Sequence, residues 1–228
     1  MKLNAFSAVV ASLVASAAFA GGSVTGTVAY TGAPPKAEKL NRKSDAVCAK
    51  KDFNDPTVTL SKDGKALANV LVRVTNAPAA KPPAEPVVVD QHECMYTPRV
   101  QGAVEGQKIT IKNSDGTLHN VHAYAGTKTL FNQAQPPKSK ELQKDAKGGD
   151  VIKFKCDVHP WMTGYVVVNK SGFFATTGED GKFEIKDVPP GKYTVEAWHE
   201  KLGTQKAEIT VEEGKPVEAK FSFSDKKS

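Results

Sequence analysis

A cysteine, a histidine and a methionine lie within one seven-residue segment, as Cys156, His159 and Met162. Cys156 continues the apolar alternation of Ile152 and Phe154, so its sulfur is expected to point inward at the end of a strand. His159 follows three residues later, a separation that a tight turn brings back toward its own start. A thiolate, an imidazole and a thioether together suit copper. The segment therefore predicts a copper site built mainly by one short loop.

A trigonal copper site of this type needs a second imidazole, which must come from a neighbouring strand. The chain has five histidines, and His119 and His122 in a His-Asn-Val-His segment are the best candidates. Side chains three residues apart in a strand point to opposite faces, so the two are not expected to bind one ion together. His119 shares the parity of apolar Val121 and is predicted to be the inward ligand. His122 is interpreted as a surface or packing histidine.

Apolar and polar residues alternate along most of the chain, which predicts an all-β protein made of half-buried antiparallel strands. Turn signals such as Asp115-Gly116 separate the strands, and many short strands at this spacing predict β-sandwiches. Only residues 36–51 leave room for a short turn of helix. The clearest strand candidates are residues 24–30, 70–74, 108–112, 152–156, 165–168, 183–185, 193–197, 207–211 and 217–223.

The two histidine-bearing motifs resemble those of the cupredoxins, the type 1 blue-copper proteins, especially the amicyanin- and plastocyanin-like members. These proteins carry a His-Asn-Val-His segment, here residues 119–122, and a Cys-x-x-His-Pro-aromatic-Met loop, here residues 156–162. The resemblance covers residues 68–168 and implies a Greek-key sandwich with one type 1 copper ion. The implied ligands are His119, Cys156, His159 and Met162.

The resemblance also implies roles for residues beside these ligands. Asn120 is expected to tie the two ligand loops together by hydrogen bonds, and Trp161 to pack around the metal and exclude water. His159 is expected to lie in an apolar surface patch where electrons enter and leave. Four protein ligands leave no open position for a substrate, which argues against an enzyme. The expected function is therefore a single-electron carrier.

The chain as a whole resembles exported plastocyanin-like proteins, some of them described as methylamine-utilisation proteins. The shared segments include residues 94–100 and 196–203. The second of these belongs to a carboxypeptidase-regulatory-like, transthyretin-like sandwich, and nothing in the sequence resembles a peptidase site. The predicted divisions are a signal peptide at 1–20, a copper domain with an N-terminal extension at 21–168, and the smaller sandwich at 171–225.

Two cysteines remain once Cys156 is assigned to the metal. A disulfide between Cys48 and Cys94 is favoured, because an exported protein permits one. The alternative is a second metal site that uses His92 and Cys94. His199 is expected to face inward as a packing histidine. A further alternative is that residues 198–200 pack against the copper domain and make His199 an accessory to the site.

The N-terminus has the pattern of a Sec-type signal peptide, which predicts export to a bacterial periplasm. Lys2 supplies the positive charge, residues 8–14 form a short apolar core, and Ala18-Phe19-Ala20 matches a cleavage site. No later apolar run approaches the ~18 residues of a membrane span. The net charge is +6, but no block of five like charges stands out along the chain. The sequence therefore does not favour a nucleic-acid partner.

The expected partner of an electron carrier is another redox protein, either a cytochrome or a dehydrogenase. One alternative is a copper chaperone, scavenger or sensor, which requires a labile or exposed ligand. Another is a structural module of a periplasmic complex. Catalytic copper would require a carboxylate or an open position where Met162 stands. Zinc would accept the same donors, but a methionine is a poor ligand for it.

Overall fold

The computed structural model describes residues 20–225, and nearly all regular structure in this part of the chain is β. The all-β prediction is confirmed. A single 3₁₀ turn, Cys48–Lys50, lies where a short helical turn is predicted. Apart from Ala20, the predicted signal peptide lies outside the described residues. The strands are β1 (Gly22–Tyr30), β2 (Leu71–Val74), β3 (Val87–His92), β4 (Met95–Thr97), β5 (Val100–Val104), β6 (Lys108–Asn113), β7 (His119–Ala125), β8 (Lys128–Gln135), β9 (Leu142–Asp145), β10 (Val151–Lys155), β11 (Thr163–Asn169), β12 (Phe174–Thr176), β13 (Lys182–Val188), β14 (Gly191–His199), β15 (Gly203–Val211), β16 (Pro216–Glu218) and β17 (Phe221–Phe223).

These strands form four sheets, which we name A to D. Sheet A has the order β13-β1-β16, with β17 also paired to β1, and sheet B has the order β12-β2-β14-β15. Sheet C has the order β5-β11-β10-β7-β8, and sheet D has the order β4-β3-β6-β9. No helix in the described residues is long and apolar enough to cross a membrane.

Three apolar layers hold the four sheets in a stack. The largest layer joins sheets A and B through residues such as Val28 and Val195. The layer between sheets C and D contains Val121 and Phe154 and also two of the candidate ligands, Cys156 and Met162. A smaller layer around Leu71 joins sheets B and C. The molecule is therefore two sandwiches, A/B and C/D, that share an apolar contact.

The division of the chain between the two sandwiches differs from the predicted boundary at residues 168–171. β1 and β2 lie inside the predicted copper domain, yet β1 pairs with β13, β16 and β17, and β2 pairs with β12 and β14. A piece of the size of 171–225 has little apolar surface to bury. The N-terminal strands supply the missing part of its core, including Val24 and Val72.

The C/D sandwich is one continuous stretch, β3 to β11, between two strands of sheet B. β2 and β12 are antiparallel neighbours in that sheet, with Arg73 opposite Phe174. Residues 75–173 therefore leave the A/B sandwich and return to it at the same place.

Candidate metal centre

Two strand ends of sheet C bring the candidate ligands to one edge. β7 begins at His119, and its antiparallel neighbour β10 ends at Lys155, opposite His122. The loop after β10 folds back by two backbone hydrogen bonds. The amide of Met162 donates to the carbonyl of His159 at 2.9 Å, and the amide of Cys156 donates to the carbonyl of Met162 at 3.4 Å. This loop thus returns its donors to the start of β7.

Three donor atoms form a compact buried triangle. His119 Nδ1 and His159 Nδ1 are 2.9 Å apart, and the Cys156 sulfur lies 3.9 Å from the first and 3.6 Å from the second. The three residues are exposed by 0%, 3% and 1% in the order His119, His159, Cys156. An ion about 2.0 Å from each nitrogen and about 2.3 Å from sulfur permits separations up to about 4 Å. All three edges satisfy that limit, so the residues fit a metal ion.

Met162 lies in the same buried cluster as Cys156 and is fully buried. Met162 thus lies in the same apolar layer as Cys156, at the end of the ligand loop. Thioether sulfur is a soft donor that favours copper over zinc, magnesium or calcium.

A carboxylate lies behind each imidazole, on the side away from the triangle. The Nε2 atom of His119 is 2.9 Å from an Asp115 oxygen, and the Nε2 atom of His159 is 3.3 Å from an Asp45 oxygen. A carboxylate accepts a hydrogen bond, so each ring presents its N–H at Nε2. With both rings neutral, each Nδ1 would turn a lone pair toward the other across 2.9 Å. A proton or a metal cation between the two nitrogens removes that repulsion.

The charges around the triangle agree with this arrangement. Burial alone favours neutral His119, but hydrogen bonds to Asp115 and to the Cys156 sulfur outweigh it and raise its pKa to about 9. Burial raises the pKa of the Cys156 thiol, but the His119 hydrogen bond and nearby backbone amides, including that of Asn120, lower it overall. The surroundings of the triangle therefore favour a positive charge beside the Cys156 sulfur, and a bound metal ion in place of the His119 proton would supply one.

Asn120 links the two ligand segments directly. Its side-chain oxygen accepts a hydrogen bond from the Asp157 amide at 2.7 Å and lies 3.4 Å from the Cys156 sulfur. Trp161 is half-buried, with its ring 5.1 Å from that of His159 between centroids, and its indole N–H donates to the Cys94 carbonyl at 3.0 Å. Asn120 thus joins the two ligand segments, and Trp161 packs beside the ring of His159.

The structure does not place His159 in a surface patch, so this expectation is wrong. Residues 39–54, which we name the strap, cover its outer edge. The strap is closed at its base by a β-bridge between Lys39 and Asn54. A disulfide joins Cys48 of the strap to Cys94, and the Cys48 sulfur is 3.8 Å from His159 Nε2. Local alternation could not reveal the cover, because the strap is distant in sequence and has no regular period.

The bond between Cys48 and Cys94 decides between a disulfide and a second metal site at these two cysteines. The predicted Cys48–Cys94 disulfide is confirmed. The alternative second metal site is wrong, since Cys94 is bonded to Cys48 and His92 is exposed. Cys156 is the free thiol of the described residues.

His122 lies on the opposite face of β7 from the triangle, as predicted. Its Nδ1 atom is 3.0 Å from Asp157 and 2.8 Å from the Tyr124 hydroxyl, and its ring stacks on that of Tyr124 at 4.1 Å. The structure therefore makes His122 a packing residue at the surface, hydrogen-bonded to the loop that follows Cys156.

His199 faces the A/B core, and the structure does not bring it to the triangle. Its Nδ1 accepts hydrogen bonds from the amides of Lys201 and Leu202, both at 3.2 Å, and its ring lies 6.3 Å from that of Phe223. Burial lowers its pKa to about 4, so the ring is neutral. The accessory role for His199 is therefore not supported.

The neighbours of His199 do contact the C/D sandwich. Trp198 packs edge-on against Tyr165 of β11 at 5.4 Å between ring centroids. Glu200 pairs with Arg99, which also donates to the carbonyl of Thr163 at the start of β11. The predicted packing of residues 198–200 against the copper domain is thus correct for Trp198 and Glu200.

A comparison with known protein families finds a match in the region of the A/B sandwich. Residues 162–224 match the carboxypeptidase regulatory-like domain. The matched regulatory-like segment begins at Met162, the residue before β11, and so precedes the predicted boundary at residue 171. It omits β1 and β2, which the structure adds to the same sandwich. No curated protein matches the chain.

Solved structures similar to the rest of the chain are cupredoxins. A purple cupredoxin from Nitrosopumilus maritimus is 22% identical, with a TM-score of 0.32, and the match covers 36% of this chain and 99% of that one. Amicyanin from Paracoccus versutus (Thiobacillus versutus) is 23% identical, with a TM-score of 0.32, covering 43% and 97%. A reduced amicyanin variant is 24% identical, with a TM-score of 0.33, covering 43% and 98%. Both resemblances predicted from the sequence are found.

Proposed function

We propose that this chain is an exported type 1 copper protein that carries single electrons. The observation that supports this most directly is the convergence of His119 Nδ1, His159 Nδ1 and the Cys156 sulfur in one buried triangle with edges of 2.9 to 3.9 Å. Met162, buried in the same layer, supplies the weak fourth donor. Copper held there supplies a one-electron couple between its +1 and +2 states.

The fold keeps these donors fixed in position and shields them from water. His119 begins β7, an inner strand of sheet C, and backbone hydrogen bonds from the amides of Cys156 and Met162 fix the ligand loop. Asn120 joins the two segments, and the strap excludes water from the outer edge of His159. Fixed donors favour rapid electron transfer, because little rearrangement accompanies a change of charge on the metal.

The burial of all three donors favours a resident ion over an exchanging one. A chaperone or scavenger must release its metal to a partner, and this requires an exposed ligand. Here the three donor residues are at most 3% exposed. The disulfide suits an oxidising compartment such as the periplasm. A cytochrome or a dehydrogenase as redox partner remains a prediction.

Copper binding to the mature protein tests the proposal. We expect Cu(II) to produce an intense visible thiolate-to-copper band, a narrow hyperfine splitting and a reversible one-electron couple. The variant Cys156→Ser should lose the band. His122→Asn is the matched control, because it changes a histidine three residues from His119 that faces away from the triangle, and it should keep the band. A wild-type protein without the band, or a Cys156→Ser protein that retains it, refutes the proposal.

A further inference from the structure

We propose that Asp45 and Asp115 are positioning residues that tune the copper centre, and that the Cys48–Cys94 disulfide holds both carboxylates in place. The inference rests on the proposed function. Each carboxylate lies behind a different imidazole of the triangle, and each is fixed by the backbone of a different half of the disulfide. Nothing in the ligand motifs themselves indicates either aspartate.

Asp115 is the more buried of the two, with its side chain 8% exposed. One of its oxygens is 2.9 Å from His119 Nε2. The backbone amides of Glu93 and Cys94 donate to the same carboxylate at 2.7 and 2.8 Å. Asp115 therefore connects the Cys94 end of the disulfide to the His119 ring.

Asp45 forms the corresponding connection within the strap. One oxygen accepts hydrogen bonds from the amides of Val47 and Cys48 at 2.7 and 3.0 Å. The other accepts from the Thr117 hydroxyl at 2.6 Å and lies 3.3 Å from His159 Nε2. Asp45 therefore connects the Cys48 end of the disulfide to the His159 ring, and Thr117 joins it to the segment that carries Asp115.

These contacts affect both the orientation and the charge of the site. A carboxylate that accepts the Nε2–H bond fixes the ring tautomer, leaves Nδ1 free to bind, and makes the imidazole a stronger donor. Two added negative charges also favour Cu(II) over Cu(I), because the ion of higher charge is attracted more strongly. An aspartate that only stabilised a turn would not change the preference for Cu(II) over Cu(I). An experiment can therefore separate a purely structural role from the tuning of the copper centre.

Asparagine substitutions separate charge from shape. Asp45→Asn and Asp115→Asn keep an oxygen for the ring N–H bond and remove the negative charge. The new NH₂ group replaces an oxygen that accepts from backbone amides, those of Val47 and Cys48 for Asp45 and that of Glu93 for Asp115. Asp52→Asn is the matched control, because Asp52 belongs to the same strap, pairs only with Lys39 at 3.0 Å, and has a side chain that is 81% exposed. Copper-loaded protein of each variant would be measured by redox titration, and the Cu(I) form by the exchange rate of the imidazole N–H protons.

We expect each variant at Asp45 or Asp115 to weaken Cu(II) binding, relative to Cu(I), by about 10- to 100-fold. Each tenfold change raises the reduction potential by about 59 mV for a one-electron couple. The ring N–H proton of the matching histidine should also exchange faster in the Cu(I) form. Asp52→Asn should change neither quantity.

The outcomes distinguish this inference from the proposed function. A wild-type protein without the charge-transfer band refutes both. A wild-type protein with the band, whose Asp45→Asn and Asp115→Asn variants match Asp52→Asn in potential and proton exchange, refutes the positioning role alone. Should Asp115→Asn fail to fold, the less buried Asp45 decides the question, and Asp115→Glu, which keeps the charge, should retain a potential close to that of wild type.

Discussion

Removing the disulfide is expected to destabilise the metal-free protein substantially. The bridge joins residues 46 positions apart, Cys48 and Cys94. Closing a loop of that length removes entropy from the unfolded chain worth about 4 kcal/mol at 25 °C in the chain-entropy model. For a protein of this size that corresponds to a fall of about 10 °C in the melting temperature. The double variant Cys48→Ala, Cys94→Ala, unfolded by urea without metal, measures this change in free energy.

A control variant shows whether the loss belongs to the bridge. Cys156→Ser keeps the disulfide and removes the free thiol from the buried triangle. It should lose less stability than the double variant. A double variant within about 1 kcal/mol of wild type would contradict the reasoning, because the bridge would then not reduce the entropy of the unfolded chain by the predicted amount.

Three further changes test other parts of the fold. Burial lowers the pKa of His199 to about 4, so the unfolded chain binds this proton more readily than the folded protein. The free energy of unfolding should therefore fall as the pH drops from about 6.5 to about 4. In urea unfolding, His199→Gln should flatten that part of the pH profile. Glu200→Gln leaves buried Arg99 without its counter-charge and should cost about 3 kcal/mol in urea unfolding while the copper band persists. A Cβ added at Gly102 would meet the Phe174 ring at 2.4 Å, so Gly102→Ala should lower the unfolding free energy by about 1–3 kcal/mol.

The parts of the site that follow from local pattern are the parts that sequence predicts. Alternation with Val121 identifies the inward face of His119, and the spacing from Cys156 to Met162 fits a single turn. The structure brings His119, Cys156 and His159 together as those patterns indicate. The all-β fold is predictable for the same reason, since a period of two is a local property of a strand.

Contacts between distant segments are what the sequence does not predict. Asp45 lies more than a hundred residues from His159, and its place there depends on the disulfide and on the hydroxyl of Thr117. Asp115 is four residues from His119, but it occurs in an ordinary turn signal and gives no sign of its contact with the ring. Alternation likewise shows which face of β1 and β2 is buried, but not which strands lie beside them.

The pairing of β2 with β12 makes the C/D sandwich a guest domain inserted into the A/B sandwich, its host. Residues 75–173 enter and leave the A/B sandwich through adjacent strands, so a short hairpin joining Val74 to Phe174 would restore the host's continuous connection. The strap belongs to the host sequence between β1 and β2, whereas Cys94 belongs to the guest. The host thus supplies the strap that covers the guest's candidate metal centre, and a guest excised by itself would lose both the strap and Asp45, one of the two carboxylates.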